Sequence, residues 1–124
     1  MEPIFDRTGA TVAWRRRDAI YDLQGKGIGF VHQRALFTRD GRYVGRFEDD
    51  LYRDTRGRVI AFEREATGGP LLPVPGPLPV APQAEVRPPQ PQFEAAPRPA
   101  MRSMAWSDLQ WDDLFAAVAT RPGG

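Results

Sequence analysis

Cysteine is absent from the 124 residues, which removes disulfides, thiolate metal sites and cysteine nucleophiles together. His32 is the only histidine; it falls in a predicted turn with no motif around it, so neither a catalytic nor a ligand role is expected of it. Charge of one sign is also missing. With 17 basic and 16 acidic side chains the net charge is +1, too little for a bulk pull toward nucleic acid. No apolar stretch approaches the roughly 20 residues needed to span a bilayer. The opening Met1-Glu2-Pro3-Ile4-Phe5-Asp6 has neither the basic region nor the apolar run of a signal peptide, and the expectation is a soluble cytoplasmic chain. A phosphate-cradling loop followed by Lys-Ser/Thr is lacking as well, and Gly25-Lys26-Gly27 reads as turn chemistry. These absences point away from catalysis: no enzyme, no cofactor and no metal site is expected.

What is present is a repeat. Gly9, Gly25, Gly41 and Gly57 lie 16 residues apart without a gap, and the same step joins Val12, Ile28, Val44 and Ile60. It also joins the small residues Ala13, Gly29, Gly45 and Ala61, the turn openers Asp6, Asp22, Thr38 and Asp54, and the apolar Ile4, Ile20, Leu36 and Tyr52. Five columns in register over four copies are a tandem architecture. Asp-x-x-Gly suits a turn in which the Asp side chain bonds forward onto the backbone and glycine takes the left-handed position. Turn capping accounts for the spacing of Asp6, Asp22 and Asp54 without any cation. Short alternating runs flank each turn, so each copy reads as a β-hairpin. Strict alternation places Val12 with Trp14 on one face, likewise Ile28 with Phe30 and Ile60 with Phe62. The small column then lies on the opposite face, where backbones approach around a pseudo-fourfold axis. In the third copy Arg46 stands at the aromatic position and Phe47 follows, which predicts a bulge or local shift there, and the fourth copy shifts its opening to Leu51-Tyr52. The aromatic column Trp14, Phe30, Phe47 and Phe62 is expected in the core.

Polar links such as Arg15-Arg16-Arg17-Asp18 and Val31-His32-Gln33-Arg34 read as the return turns of a meander. The run Arg15 to Arg17 is the nearest thing to a nucleic-acid patch, but acidic Asp18 and Asp22 interrupt it. One hairpin alone is marginal in water, whereas four sharing a core are not. The Ile-Phe-Asp-x-x-Gly-x-x-Val-Ala-Trp unit repeated four times over about residues 3–65 resembles the small bacterial four-fold β-flower proteins. The resemblance implies four hairpin petals about a central pseudo-axis, and it implies no catalytic residues.

Residues 67–102 differ in kind. Gly68-Gly69-Pro70 closes the head, and a proline-rich run follows with no periodic apolar face. The expectation is a disordered, extended spacer. Order is predicted to return over residues 103–121 as a short amphipathic helix. Ser107 and Gln110 have the spacing of a capping box, with Trp106 and Trp111 as a staple across it. Asp108, Asp112 and Asp113 oppose the positive end of the helix dipole. Trp111, Leu114, Phe115 and Val118 form one apolar stripe, and with Trp106 and Leu109 they are the candidate partner-binding residues.

The expected architecture is therefore an all-β head over residues 1–66, four 16-residue β-hairpin repeats in a pseudo-fourfold meander. A spacer and a terminal helix follow it. The expected function is non-enzymatic binding or scaffolding, with the helix docked on its own or a neighbouring head, or on another protein. The alternative is a small-molecule receptor that holds an elongated apolar or polyether-like ligand at the axis or between petals.

Overall fold

The computed structural model describes residues 1–119, with side chains described as far as Phe115. Eight antiparallel strands run in sequence order: β1 (Glu2–Phe5), β2 (Thr11–Arg16), β3 (Ala19–Tyr21), β4 (Gly27–His32), β5 (Ala35–Thr38), β6 (Tyr43–Glu48), β7 (Leu51–Arg53) and β8 (Val59–Phe62). Each pairs with the next, and β8 returns to β1, closing a barrel. The closing seam is narrow, with Phe5 opposite Phe62 as its one paired position. Among the described residues a single helix, α1 (Trp111–Ala119), follows the tail.

The four turns are built alike. The amides of Gly9, Gly25, Gly41 and Gly57 donate to the carbonyls of Asp6, Asp22, Thr38 and Asp54, and the glycines sit at φ +86, +89, +96 and +85°. Asp6, Asp22 and Asp54 each accept two backbone amides, from positions two and four residues on. In the third turn Thr38 takes the opening place and its hydroxyl bonds Asp40. The return turns are tight. Gln33 and Arg34 both have positive φ, as do Asp49 and Asp50, the backbone of two-residue hairpins that match strand twist.

Every hairpin carries a bulge, and this corrects the expected faces. Ile4 pairs with Ala13 but Phe5 with Thr11, which leaves Val12 as the extra residue. The same shift recurs at Ile20/Tyr21, Leu36/Phe37 and Tyr52/Arg53. Period-two alternation fails at each bulge because two residues stand opposite one. Val12, Ile28, Val44 and Ile60 consequently pack with the axial cluster of Ile4, Ile20, Leu36, Tyr52, Ala13 and Ala61, and not with Trp14, Phe30 and Phe62. Ile4, Ile20, Leu36 and Tyr52 face Ala13, Gly29, Gly45 and Ala61 across the ladder. Large side chains meet small ones layer by layer, and an eight-stranded interior has room for little else. The third copy is no exception in register. Arg46 keeps the outer position opposite Arg53, and Phe47 lies opposite Tyr52, stacked on its ring at 4.4 Å. The aromatic column is thus split, with Phe47 packed toward the axis and Trp14, Phe30 and Phe62 on the outer wall.

That outer wall is buried. Phe5, Tyr21, Phe30, Phe37 and Phe62 are all 2% exposed or less, because the proline-rich segment is wrapped around them. The expectation of a disordered spacer is corrected here. The amides of Gly76, Glu85, Glu94 and Ser103 donate to the carbonyls of Gly9, Gly25, Gly41 and Gly57, at 2.9 to 3.1 Å. Between these four contacts, nine residues of tail step round sixteen residues of barrel, three times. The tail needs no helix or strand of its own, because its order is supplied by the turns it crosses. Prolines at 70, 79, 88 and 97, and at 73, 82 and 91, hold it extended between steps.

Candidate functional site

The two ends of the barrel differ in chemistry. At the end with the Asp-x-x-Gly turns, helix α1 closes the mouth. Trp111 and Leu114 are buried and belong to the axial cluster with Val44, Tyr52 and Ile60. The Trp111 ring meets Tyr52 edge-on at 5.2 Å and lies 5.2 Å from Phe115. Phe115 reaches toward Gly29, where a Cβ would stand 2.7 Å from its ring, so the small column admits the helix as well as the strands. Phe115 is only half-buried, and beside it opens a cleft of about 480 Å³ between two turns, lined by Lys26, Gly27, Ile28, Thr38, Arg39 and Asp40.

The helix does not begin where its sequence suggested. Its first residue is Trp111, and the amide of Gln110 donates to the Asp113 carboxylate at 2.8 Å, so the cap lies three residues later than Ser107. Ser107 is held elsewhere. Its amide donates to the carbonyl of Val59, whose amide donates to Ala105, while its hydroxyl donates to the Asp54 carboxylate at 2.5 Å and accepts from the Leu109 amide. Trp106 is spent on a bridge to Val59 and a contact with Phe62 at 6.4 Å. Trp106 and Trp111 thus occupy separate clusters and form no staple. The last tail step claims this backbone before the helix can. Of the candidate partner-binding residues, Trp111, Leu114 and Phe115 converge on the mouth and Trp106 packs on the wall. Leu109 is 45% exposed, and the side chain of Val118 lies outside the described residues.

Around the mouth the turns carry Arg7, Lys26, Arg39, Arg42, Arg56 and Arg58, while Asp6, Asp22 and Asp54 are engaged by turn amides. Asp108 of the helix approach pairs with Arg58 at 3.4 Å, and Asp112 and Asp113 begin α1. One ion pair, Arg58 with Asp108, thus ties the approach to the helix to a turn at the mouth.

The opposite end is polar and closed. Arg15 donates to both oxygens of Glu63, at 2.7 and 2.8 Å, and Tyr52 donates to Glu63 at 2.6 Å. The Arg15 guanidinium also lies over Phe47, 5.2 Å from the ring centroid. Glu63 raises the Arg15 pKa further, and burial together with Glu63 pushes the Tyr52 phenol well above its ordinary range. Burial and neighbouring Glu63 also raise the Asp50 carboxyl. Arg15 to Arg17 form no shared basic patch: Arg15 is turned inward onto Glu63, and Arg16 lies over the Tyr21 ring. His32 is half-buried and stacks on Phe93 at 4.7 Å. No group of three or more metal-ligating side chains converges among the described residues, and no helix among them is long and apolar enough to cross a membrane.

Several of these residues escape a reading by composition. Glu85 and Glu94 add carboxylate contacts to the amides of Gly27 and Tyr43, at 2.8 and 2.7 Å, and Phe93 inserts 4.4 Å from Phe37. Arg53, buried on the wall, donates to Gly57 and Ser103 carbonyls at 2.6 Å. The signal that would have located the tail's contacts is the nine-residue recurrence of proline, masked by the many other prolines in the run.

The model of the 4-fold beta flower protein family matches residues 2–115, so the match includes the tail and the start of the helix as well as the repeats. No curated protein and no solved structure matches.

Proposed function

The chain belongs to the 4-fold beta flower protein family, and we propose that it works there as a non-enzymatic binding protein whose barrel mouth accepts an apolar helix. In the free chain the mouth is covered by the chain's own α1, and a partner with a stronger helix of the same kind displaces it. The observation that carries this reading is the seating of Trp111 and Leu114 in the axial cluster. The pairing of Arg58 with Asp108 supports an occupant with an acidic residue ahead of its helix. Full burial of a large apolar side chain contributes about 1.5–3 kcal/mol, so two or three such residues hold a nine-residue helix that would be unstable alone. Because the chain keeps α1 beside its site, only a partner that outcompetes a tethered segment gains the mouth.

The test is the double variant Trp111→Ala, Phe115→Ala. It is expected to free α1, expose the Val/Ile ring at the mouth and bind a hydrophobic dye that the wild type ignores. Unchanged dye binding, with α1 NMR signals unmoved, rejects the mouth as a binding surface.

A second reading, a receptor for an elongated apolar or polyether-like molecule, is supported by the half-buried Phe115 and the adjacent cleft between turns. The axis itself is filled by Ile4, Ile20, Leu36 and Tyr52, all fully buried, so such a ligand belongs between petals. Titration of the wild-type chain with a linear polyether, followed by Phe115 ring shifts, separates this reading from helix displacement.

A further inference from the structure

The tail and the barrel are joined once, through Gly68 and Gly69, and otherwise meet as two separate surfaces. Each tail step makes the same set of contacts. The amide of Gly76, Glu85, Glu94 or Ser103 donates to a turn-glycine carbonyl. The carbonyl two residues earlier, on Val74, Gln83, Gln92 or Met101, lies over the glycine Cα, where no Cβ fits. In the two middle steps a glutamate carboxylate caps the first amide of the next strand, and a proline follows three residues later. Pro88 closes on Gly27, where a Cβ would meet its ring at 2.5 Å, and the Pro97 carbonyl accepts from Arg46 at 2.5 Å. None of these contacts depends on which chain supplies the tail. The one covalent junction is permissive: Gly68 has φ +79°, and nothing lies within 4 Å of where its Cβ would be.

We propose that the outer wall of the barrel is a recognition surface for extended, proline-punctuated segments with a nine-residue stride, and that its partner is a second copy of this chain, whose tail replaces the resident one. The surface is distinct from the mouth. It reads peptide backbone at four turns, with Glu-x-x-Pro preferred at the two middle sites. Exchange of tails preserves every step and alters only the Gly68–Gly69 crossing, the condition under which identical elements swap between protomers at low cost.

Complementation between two full-length variants tests this. One chain carries blocked sites and an intact tail, through Gly25→Ala and Gly41→Ala. The other carries intact sites and a weakened tail, through Glu85→Ala and Glu94→Ala. Mixed at equal concentration they are expected to form a one-to-one heterodimer by sedimentation, seen with neither chain alone. Within it the amides of Glu85 and Glu94 on the first chain should be slowed at least tenfold in exchange. Gly27→Val serves as a second block, because it obstructs Pro88 without touching a left-handed glycine. Two monomers in the mixture, with the blocked chain's tail free, overturn the proposal. So does a blocked chain whose tail remains bound to its own barrel, since the turns would then not be what reads it. Both results leave the mouth reading standing, which dye binding decides separately.

Discussion

The amide of Glu94 donates to the carbonyl of Gly41 at 2.9 Å, and the carboxylate of the same glutamate accepts from the amide of Tyr43 at 2.7 Å. One tail residue thus fastens the end of one turn and the first residue of the strand that follows it. It does so only because position 41 has no side chain. The glycine therefore answers to two constraints, its own φ of +96° and the backbone of Gln92 lying across it.

Those two constraints separate by mutation. Gly68→Ala carries only the left-handed cost of about 1–2 kcal/mol, since its Cβ would meet nothing. Gly41→Ala carries that cost and dislodges a tail step, so it should lose at least about 1 kcal/mol more, several degrees of Tm at this size. The whole barrel should still melt in one calorimetric transition. Equal losses at the two glycines would mean that the tail adds nothing at the turn.

Amide exchange should print the stride. The amides of Gly76, Glu85, Glu94 and Ser103 are the tail's donors to the turns and should exchange slowly, with fast-exchanging neighbours between them. Uniformly fast exchange from residue 71 to residue 102 would be incompatible with the wrapped tail.

Leu109 and Leu114 make a matched pair. Leu114 is 6% exposed in the axial cluster and Leu109 is 45% exposed. Leu114→Ala should weaken helix docking by about 2–5 kcal/mol, whereas Leu109→Ala should stay within about 0.5 kcal/mol. The readout is Trp111 fluorescence during urea titration. A Leu109 effect as large as that of Leu114 would place the docking face elsewhere on the helix.

Asp50 should make the barrel's polar end sensitive to pH in an unusual direction. Its carboxyl pKa is raised in the fold by burial and by Glu63. A carboxyl raised above its unfolded value supports the fold in its protonated form, and that support is lost as pH rises through the folded pKa. Asp50→Asn keeps the left-handed turn, which asparagine tolerates. It should stabilise the chain at pH 7 and change nothing at about pH 3, below the ordinary carboxylate range. Urea midpoints at the two pH values decide it, and a loss of stability at pH 7 would reverse the assignment.

The hairpin register was legible because turn chemistry repeats locally: Asp6 and Gly9 specify the same bend as Asp54 and Gly57. The inward faces were not. A bulge beside each turn carries Val12 toward the axis along with Ala13, and no count of two finds that. Arg46 and Phe47 look like a slip in sequence, yet the ladder keeps its register and exchanges which face holds the aromatic. At the mouth, Ser107 has every attribute of a helix cap, but the strand pairing of Val59 takes its backbone first. The tail was the largest omission. Its contacts with the turns lie between residues 46 to 67 positions apart, and its apolar content is too low to announce burial. What orders it is the spacing of amides against carbonyls that four identical turns present.

Under tension the wrapped tail would behave as a ratchet of four catches. Pulled from its C-terminal end, once α1 and the pairing of Ser107 with Val59 have let go, it loses Ser103 from Gly57, then Glu94 from Gly41, Glu85 from Gly25 and Gly76 from Gly9. Each of the first three of these releases frees one nine-residue span, about 30 Å of extended chain at the backbone's full reach. Extension would thus arrive in equal increments, their length set by the stride of the tail.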